Sequence, residues 1–378
     1  MRHATLAACL LVGCTPAMPF ASPPPASTAV SSSSSPSLPV GAAPLATPSP
    51  SASPHAAVVA SIPLGSDGRS SALALVFAPV HRWLYIRTER GVTLLDGDSL
   101  KTLAWLDLPG YPGVGLAVDE ARYVYVTTVD GYIHALALDL SREVNAFKVG
   151  DLVGLNSVAV DHRTHTVYAL ASGVLPSRVS PYPPRHGAIG VVNPDRGTLE
   201  ATIDVPGYPS DLGVSSATSR VYVSGSEGPG RSGFVQVIDG DAWREIAVIG
   251  ITPGGGMALD ERDGALYVAT TGSPAFGIPG RITFVDRRTN RALTFVSEDP
   301  VVLGLDETRH HIYLAEARGE LAIGVTNSDH GNPGLFAERV KIPRPISIAV
   351  DPARHRVFVG SAGAIAWVTV IADNFPPL

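Results

Sequence analysis

Histidine is the residue type whose spacing in this chain comes nearest to metal or acid–base chemistry. We assign four histidines to one repeat position, three residues before a recurring aromatic residue: His81, His165, His310 and His355. His162 with His165, and the pair His310-His311, lack a third and fourth candidate ligand nearby in the sequence. Recurrence at one position distributes these side chains over the repeated units instead of bringing them together. We therefore expect them to belong to turns, and we predict no metal site.

Aspartate recurs as regularly, at the ends of short apolar runs. Five such residues are Asp119, Asp161, Asp260, Asp306 and Asp351, and a second set is Asp96, Asp239 and Asp286. Paired carboxylates for acid–base catalysis must lie within about 5–10 Å of each other. A carboxylate at a strand end more commonly accepts hydrogen bonds from the amides of the following turn. We expect this structural role, and we assign no catalytic residue.

Departures from the repeat are the better candidates for a binding site. Insertions at 172–186, 225–232 and 272–280 fall between the same two predicted strands of consecutive units, so they should emerge on one face. The tetrapeptide Pro-Gly-Tyr-Pro, at 109–112 and 206–209, should reach that face too. The candidate face comprises Tyr111, Arg178, Tyr182, Arg185, His186, Tyr208, Arg231 and Phe276. Arginines with aromatic residues suit an anionic or peptide-like ligand; the other interpretation is that these are tolerated surface loops.

Other chemistry is not indicated by the sequence. There is no Gly-x-Ser-x-Gly elbow, no phosphate-binding Gly-x-x-x-x-Gly-Lys-Ser/Thr loop and no His-Glu-x-x-His motif. The formal net charge is −6 and the isoelectric point is near 6.0, which does not favour nucleic acid as a partner. We expect no cofactor.

The elements that must position these residues are short strands in a repeated pattern. Seven aromatic residues, here called the anchors, mark the repeat: Tyr85, Tyr125, Tyr168, Tyr222, Tyr267, Tyr313 and Phe358. Their separations are 40, 43, 54, 45, 46 and 45 residues. A period in the forties with alternating apolar strands is typical of a β-propeller with four strands per blade. The sequence therefore predicts an all-β fold with seven blades over 57–378.

The two ends of this region predict how the ring closes. The last repeat supplies only three strands, around 346–350, 356–360 and 364–371. An apolar segment at 57–64 is available at the other end of the domain as the fourth strand. Pairing it with the last blade would close the ring and cover an exposed strand edge.

Two strand sequences, Tyr125-Val126-Thr127-Thr128 and Tyr267-Val268-Ala269-Thr270, resemble the YVTN repeat of bacterial and archaeal surface propellers. The resemblance extends over 57–378 and implies a fold, not an activity. The same superfamily includes surface proteins, haem-binding reductase domains and quinoprotein dehydrogenase subunits. This chain has no Cys-x-x-Cys-His and no cysteine after Cys14, so covalent c-type haem is not expected.

The first 56 residues carry the signals of export and anchoring. Residues 1–13 are similar to a secretory signal, and Leu11-Val12-Gly13-Cys14 resembles the lipobox of bacterial lipoproteins. That resemblance implies cleavage before Cys14 and acylation of its thiol; the alternative is an ordinary signal peptide. Residues 15–56 contain 11 Pro, 11 Ser, 9 Ala and no Lys, Arg, Asp or Glu, which predicts a disordered tether from 14 to 56. Thr15 in place of Asp favours the outer membrane over the inner membrane.

These observations predict a lipid-anchored, monomeric propeller of the cell envelope. The expected function is noncatalytic: a binding or scaffold module for a protein, peptide or glycan, through one loop-rich face. The alternative is an enzyme, either a lyase or hydrolase or a subunit of a redox complex, with its site at the mouth of the central channel.

Overall fold

The protein is a seven-bladed β-propeller. The structure, a computed structural model, describes residues 55–64, 71–108, 112–174, 186–228, 232–272, 279–297, 299–326, 336, 338–363 and 366–374. The predicted signal, Cys14 and nearly all of the tether lie outside these residues. The strands are β1 (Ala56–Pro63), β2 (Ala74–Ala78), β3 (Trp83–Arg87), β4 (Gly91–Asp96), β5 (Thr102–Asp107), β6 (Pro112–Val118), β7 (Val124–Thr128), β8 (Tyr132–Leu136), β9 (Glu143–Lys148), β10 (Leu152–Asp161), β11 (Thr166–Val174), β12 (His186–Asn193), β13 (Thr198–Pro206), β14 (Tyr208–Ser215), β15 (Arg220–Ser226), β16 (Gly233–Asp239), β17 (Arg244–Ile251), β18 (Met257–Asp260), β19 (Ala265–Thr270), β20 (Arg281–Asp286), β21 (Arg291–Val296), β22 (Pro300–Asp306), β23 (His311–Glu316), β24 (Glu320–Val325), β25 (Glu338–Lys341), β26 (Pro345–Asp351), β27 (Arg356–Ser361) and β28 (Trp367–Asp373).

Each blade is an antiparallel sheet of four strands. Blades 1 to 6 take consecutive strands, from β2–β5 for blade 1 to β22–β25 for blade 6. Blade 7 has the order β1-β28-β27-β26. The first strand of every blade contacts the first strands of both neighbouring blades, and β2 contacts β26, so the ring is closed. Among the described residues there is no helix that is long and apolar enough to span a membrane.

Burial of the strands follows from their position in the blade. The second strand is covered by its own sheet and by both neighbouring blades, so β7 and β19 are buried at every residue. The fourth strand lies at the outer rim and has an exposed face, as β5 and β17 show. The near-continuous apolar sequence of the second strands and the alternation of the fourth strands are both consequences of this layering.

The anchors join each blade to the next. All seven are at most 1% exposed and lie in the middle of the second strand. The hydroxyl of Tyr85 in blade 1 donates to the carbonyl of Leu138 in blade 2 (2.8 Å), and Tyr168 in blade 3 donates to Gly240 in blade 4 (3.0 Å). Phe358 has no hydroxyl and instead stacks on Phe77 of blade 1, with ring centroids 5.7 Å apart.

The recurring aspartates hold the turns between first and second strands, as the sequence predicts. Asp119 Oδ1 accepts from the amide of Ala121 (3.1 Å), and Asp161 Oδ1 accepts from that of Arg163 (2.8 Å). Equivalent bonds are made by Asp260, Asp306 and Asp351, and in the turns between third and fourth strands by Asp96, Asp239 and Asp286. The predicted structural role is therefore confirmed.

Three of the four histidines also have the predicted place in the turn. His165, His310 and His355 lie three residues before an anchor and have φ of +61°, +57° and +52°. His165 Nδ1 is 2.6 Å from Asp119 Oδ2 of the preceding blade, and His310 Nδ1 is 3.0 Å from Asp263 Oδ2. The assignment of His81 to this position is wrong. It lies four residues before Tyr85, and Arg82 takes the left-handed conformation instead (φ +58°).

Closure joins the two ends of the domain. Strand β1 pairs with β28 in antiparallel register, with Ala57 opposite Ala372 and Ser61 opposite Thr369. Arg82 of blade 1 also reaches Asp351 of blade 7, with Nη2 2.5 Å from Oδ2. The predicted closing strand is thereby confirmed.

A buried cluster of ionisable groups lies where the closing sheet meets blade 6. The carboxylate of Asp373 at the end of β28 is fully buried, and its Oδ2 accepts from the hydroxyl of Tyr313 (2.6 Å). His311 Nδ1 is also 2.6 Å from that oxygen, and Arg309 Nη1 is 3.6 Å from it. Burial and the adjacent carboxylate raise the pKa of Tyr313 far above its ordinary value, so its hydroxyl remains a donor. This cluster fixes the position of β28 against blade 6.

We expect Tyr313→Phe to lower the free energy of unfolding by about 1.5–3 kcal/mol, because it removes a buried hydrogen bond to a charged group. The matched control is Tyr125→Phe. The Tyr125 hydroxyl is buried with no hydrogen-bond partner in the described structure, so its removal should not lower the free energy of unfolding. Urea titration followed by tryptophan fluorescence measures both. Equal destabilisation by the two variants would contradict the role given to Asp373.

Candidate functional site

The strand register defines two faces of the ring. We call one of them the upper face: the first and third strands of each blade begin there, and the second and fourth strands end there. In blade 4, for example, Tyr208 at the start of the first strand pairs with Ser226 at the end of the second. The turns that carry the aspartates and the histidines lie on the opposite, lower face. The sheets therefore place the ends of β11, β15 and β19, and the starts of β12, β16 and β20, on the upper face.

Of the predicted binding residues, Tyr208 and His186 belong to described strands. Tyr208 begins β14 and is 44% exposed. His186 is the first residue of β12, opposite Pro206, and not part of a loop as the sequence indicated. Strand β11 likewise continues to Val174, past the predicted start of the insertion. The other predicted residues lie outside the described part of the chain: Tyr111, Arg178, Tyr182, Arg185, Arg231 and Phe276.

A cleft at the upper face lies against blade 7, beside the segment that connects blade 6 to blade 7. It encloses about 660 Å³, and its lining includes Arg344, Ser361 and Trp367. Trp367 is 37% exposed, and Arg344 has a left-handed φ of +46°. Such a backbone conformation is uncommon for a residue other than glycine. No carboxylate of the described residues lies within 4.0 Å of the Arg344 guanidinium, and the buried hydroxyl of Ser361 has no partner there. The cleft thus combines an aromatic surface with an exposed guanidinium that has no carboxylate partner among the described residues.

Arg87 is a buried cation at the upper end of β3. The side chain is 1% exposed, its Nε donates to the carbonyl of Gly113 in blade 2 (3.3 Å), and its Nη1 has no partner in the described structure. Burial lowers its pKa to about 10. Equivalent positions, two residues after the anchor, carry Thr127, Leu170, Ser224, Ala269, Ala315 and Gly360. Arg87 was not among the predicted site residues, although it is the charged residue at this position of the repeat.

Blade 6 carries a second buried charge at the upper face. The side chain of Glu316, at the end of β23, is 1% exposed. Its Oε2 accepts from Arg318 Nε (2.8 Å) and Arg339 Nη1 (2.7 Å). These contacts link the second strand to the turn and to the fourth strand. They give this carboxylate a structural role.

The central channel contains one carboxylate that connects three blades. Asp211, on the first strand of blade 4, accepts from Ser157 Oγ of blade 3 (3.0 Å) and from the amide of Met257 in blade 5 (2.9 Å). The amide of Leu212 is a third donor, at 2.9 Å. Burial raises the pKa of Asp211. Both carboxylate oxygens are engaged, so the residue acts as a brace between neighbouring first strands.

The lower face does not bring its ionisable groups to one point. His81 Nδ1 is 3.1 Å from Glu120 Oε2, and the other turn histidines contact carboxylates in separate blades. Within the described residues, no three His, Cys, Asp or Glu side chains are grouped so that they could hold a metal ion.

Comparison with known proteins supports the fold. No protein-family model matches the chain, and no curated protein matches it. Among solved structures, hydrazine synthase of Kuenenia stuttgartiensis is similar, with a TM-score of 0.65 and 14% sequence identity. The match covers 79% of this chain and 95% of that chain. At this identity the likeness shows a shared propeller fold and nothing about activity.

We expect Arg87→Met to leave the free energy of unfolding unchanged or to raise it by up to about 3 kcal/mol, because it removes a buried charge that has no counter-ion among the described residues. Arg82→Met is the matched control. It leaves the fully buried carboxylate of Asp351 without its cation, and we expect a loss of about 1–3 kcal/mol. Urea titration at pH 7 distinguishes the two. A loss of more than about 1 kcal/mol in Arg87→Met would show that Arg87 stabilises the fold.

Proposed function

We propose that this protein is a noncatalytic binding module of the cell envelope that presents its upper face to a peptide, protein or glycan. The upper-face cleft beside blade 7 is the observation that carries the proposal. It places an exposed Trp367 beside an exposed Arg344. Aromatic residues and arginine contribute most of the binding energy at protein interfaces. Exposed Tyr208 and the sequence-predicted rim residues would extend the same face.

The partners of the charged side chains also support this function. On the lower face, carboxylates and cations hold turns and connect blades, as Asp119 with His165 illustrates. In the channel, Asp211 is fully engaged as an acceptor, whereas an acid or base in catalysis needs a proton or lone pair directed at a substrate. The exposed guanidinium of Arg344 at the upper face suits recognition of acceptor groups, such as carboxylates or sugar hydroxyls.

Trp367→Ala tests this proposal on peptide and glycan arrays probed with the full chain. We expect a specific set of ligands to bind wild type and to bind the variant at least tenfold more weakly, because the aromatic wall of the cleft is lost. The matched control is Trp105→Ala, which removes a tryptophan of similar exposure (42%) from the outer strand β5. If wild type and Trp367→Ala bind the same ligands equally well, the cleft is not part of the binding face.

The second part of the proposal is the lipid anchor at Cys14, which would hold the module at a membrane, most simply the outer one. Acyl chains contribute about 0.8 kcal/mol per buried methylene, so several chains give a durable anchor. We expect Cys14→Ser to release the protein from the membrane fraction and to abolish labelling by radioactive palmitate. Cys9→Ser, inside the predicted signal, should change neither. Membrane retention of Cys14→Ser without label would contradict the lipoprotein interpretation.

A further inference from the structure

An arginine-lined groove on the lower face lies between blade 4 and blade 5. It encloses about 1200 Å³, which exceeds the roughly 300–1,000 Å³ of most small-molecule sites. Its walls come from the start of β15, from the turn after β18 and from the turn between β20 and β21. Five arginines line it: Arg220, Arg262, Arg287, Arg288 and Arg291. This concentration of positive charge occurs in a chain whose formal net charge is −6.

The three carboxylates in the lining neutralise only some of the five arginines. Asp263 is 3.0 Å from His310 Nδ1. Asp286 accepts from the amide of Arg288 (2.8 Å) and from Thr289 in its own turn, and its Oδ2 is 4.0 Å from Arg288 Nη2. Glu261 pairs with Arg287 (3.0 Å). Within the described residues, no carboxylate lies within 4.0 Å of the guanidinium of Arg220, Arg262 or Arg291. The groove therefore retains net positive charge.

Arg287 places a buried positive charge in the lining of the groove. Its side chain is 6% exposed and lies over the ring of Tyr222, 5.9 Å from the centroid. Its Nη2 reaches the carbonyl of Asp260 and the carboxylate of Glu261. Its Nε and Nη1 are buried and have no partner in the described structure. A buried guanidinium with two unmet donors is costly. A negative charge in the groove would stabilise it.

The groove is apolar as well as cationic. Ile246 on β17 is 42% exposed and Leu293 on β21 is 52% exposed, so each wall presents an aliphatic side chain. Phe284, partly exposed, contributes aromatic surface. Strands β17 and β21 are the outermost strands of their sheets and have free edges in the described structure. An extended peptide can pair with such an edge, whereas a sugar chain cannot.

We propose that this groove binds an extended acidic peptide segment of a partner protein, one in which carboxylates alternate with aliphatic residues. The carboxylates would meet Arg220, Arg288 and Arg291, and the aliphatic side chains would pack on Ile246 and Leu293. The site lies on the face opposite the upper-face cleft. It is independent of the ligand proposed there.

The test is fluorescence anisotropy of the full chain with a labelled peptide of four Glu-Leu repeats. We expect saturable binding that weakens with added salt, as for any contact dominated by charge. Peptides of four Glu-Ser repeats and of four Lys-Leu repeats should bind at least tenfold more weakly. Failure of the Glu-Leu peptide to bind would overturn the proposal. Equal affinity for the Glu-Ser peptide, or preference for a heparin fragment over the Glu-Leu peptide, would overturn it too, since either indicates a general polyanion site.

Surface variants locate the binding without disturbing the fold. Arg288→Glu changes a side chain that is 88% exposed, and combined with Arg291→Glu it should weaken the Glu-Leu peptide at least tenfold. Arg196→Glu is matched, because Arg196 is 75% exposed in the equivalent turn of blade 3, and it should leave affinity within twofold. Leu293→Ser should weaken binding, whereas Leu103→Ser, at a residue 50% exposed on β5, should not. Equal loss in the matched variants would overturn the assignment to this groove. Trp367→Ala should still bind the Glu-Leu peptide, so each of the two proposed sites can be disproved independently of the other.

Discussion

The ring depends on the aromatic side chain that crosses from the second strand of each blade into the next. A propeller sheet has no covalent connection to its neighbour except one short segment, so its position must be set by side chains. The anchors do this at the most buried place available, and the hydroxyls of Tyr85 and Tyr168 donate to carbonyls on the next sheet. The contact is repeated around the ring, so a displacement of one blade would displace its neighbours in turn. The turn aspartates add a second contact nearer the lower surface, which limits tilting about the anchor.

This arrangement divides the charged residues between the two faces. On the lower face, carboxylates and cations are mostly used between blades or within turns, and they are conspicuous in the sequence because they follow the repeat. On the upper face, Arg87 and Arg344 stand outside the repeat, and neither meets a carboxylate among the described residues. The groove between blades 4 and 5 is an exception on the lower face. There the lining contains five arginines and only three carboxylates.

Much of the fold could be predicted because its causes are local and periodic. The third strands at 233–239 and 281–286 begin and end where the alternation of apolar residues does, and the closing strand follows from counting strands in the last blade. His81 was assigned to the wrong position of its turn: it lies four residues before Tyr85, and Arg82 occupies the place that His165 takes in blade 3. Arg87 was missed because it stands inside an otherwise ordinary strand. The two clefts bring together residues far apart in the chain, with no period to indicate them.

Closure by β1 has a consequence for the order in which the protein can fold. Ala56 pairs with Asp373, so the first strand of the domain has no partner until almost the whole chain has been made. Six blades can assemble from neighbouring segments, but the seventh combines the two ends and carries the highest loop-closure entropy. Until then β28 lacks its outer neighbour, and an unpaired edge is where chains associate wrongly. A truncated chain that lacks β28 therefore cannot complete the ring. Its first strand stays unpaired and accessible to proteases.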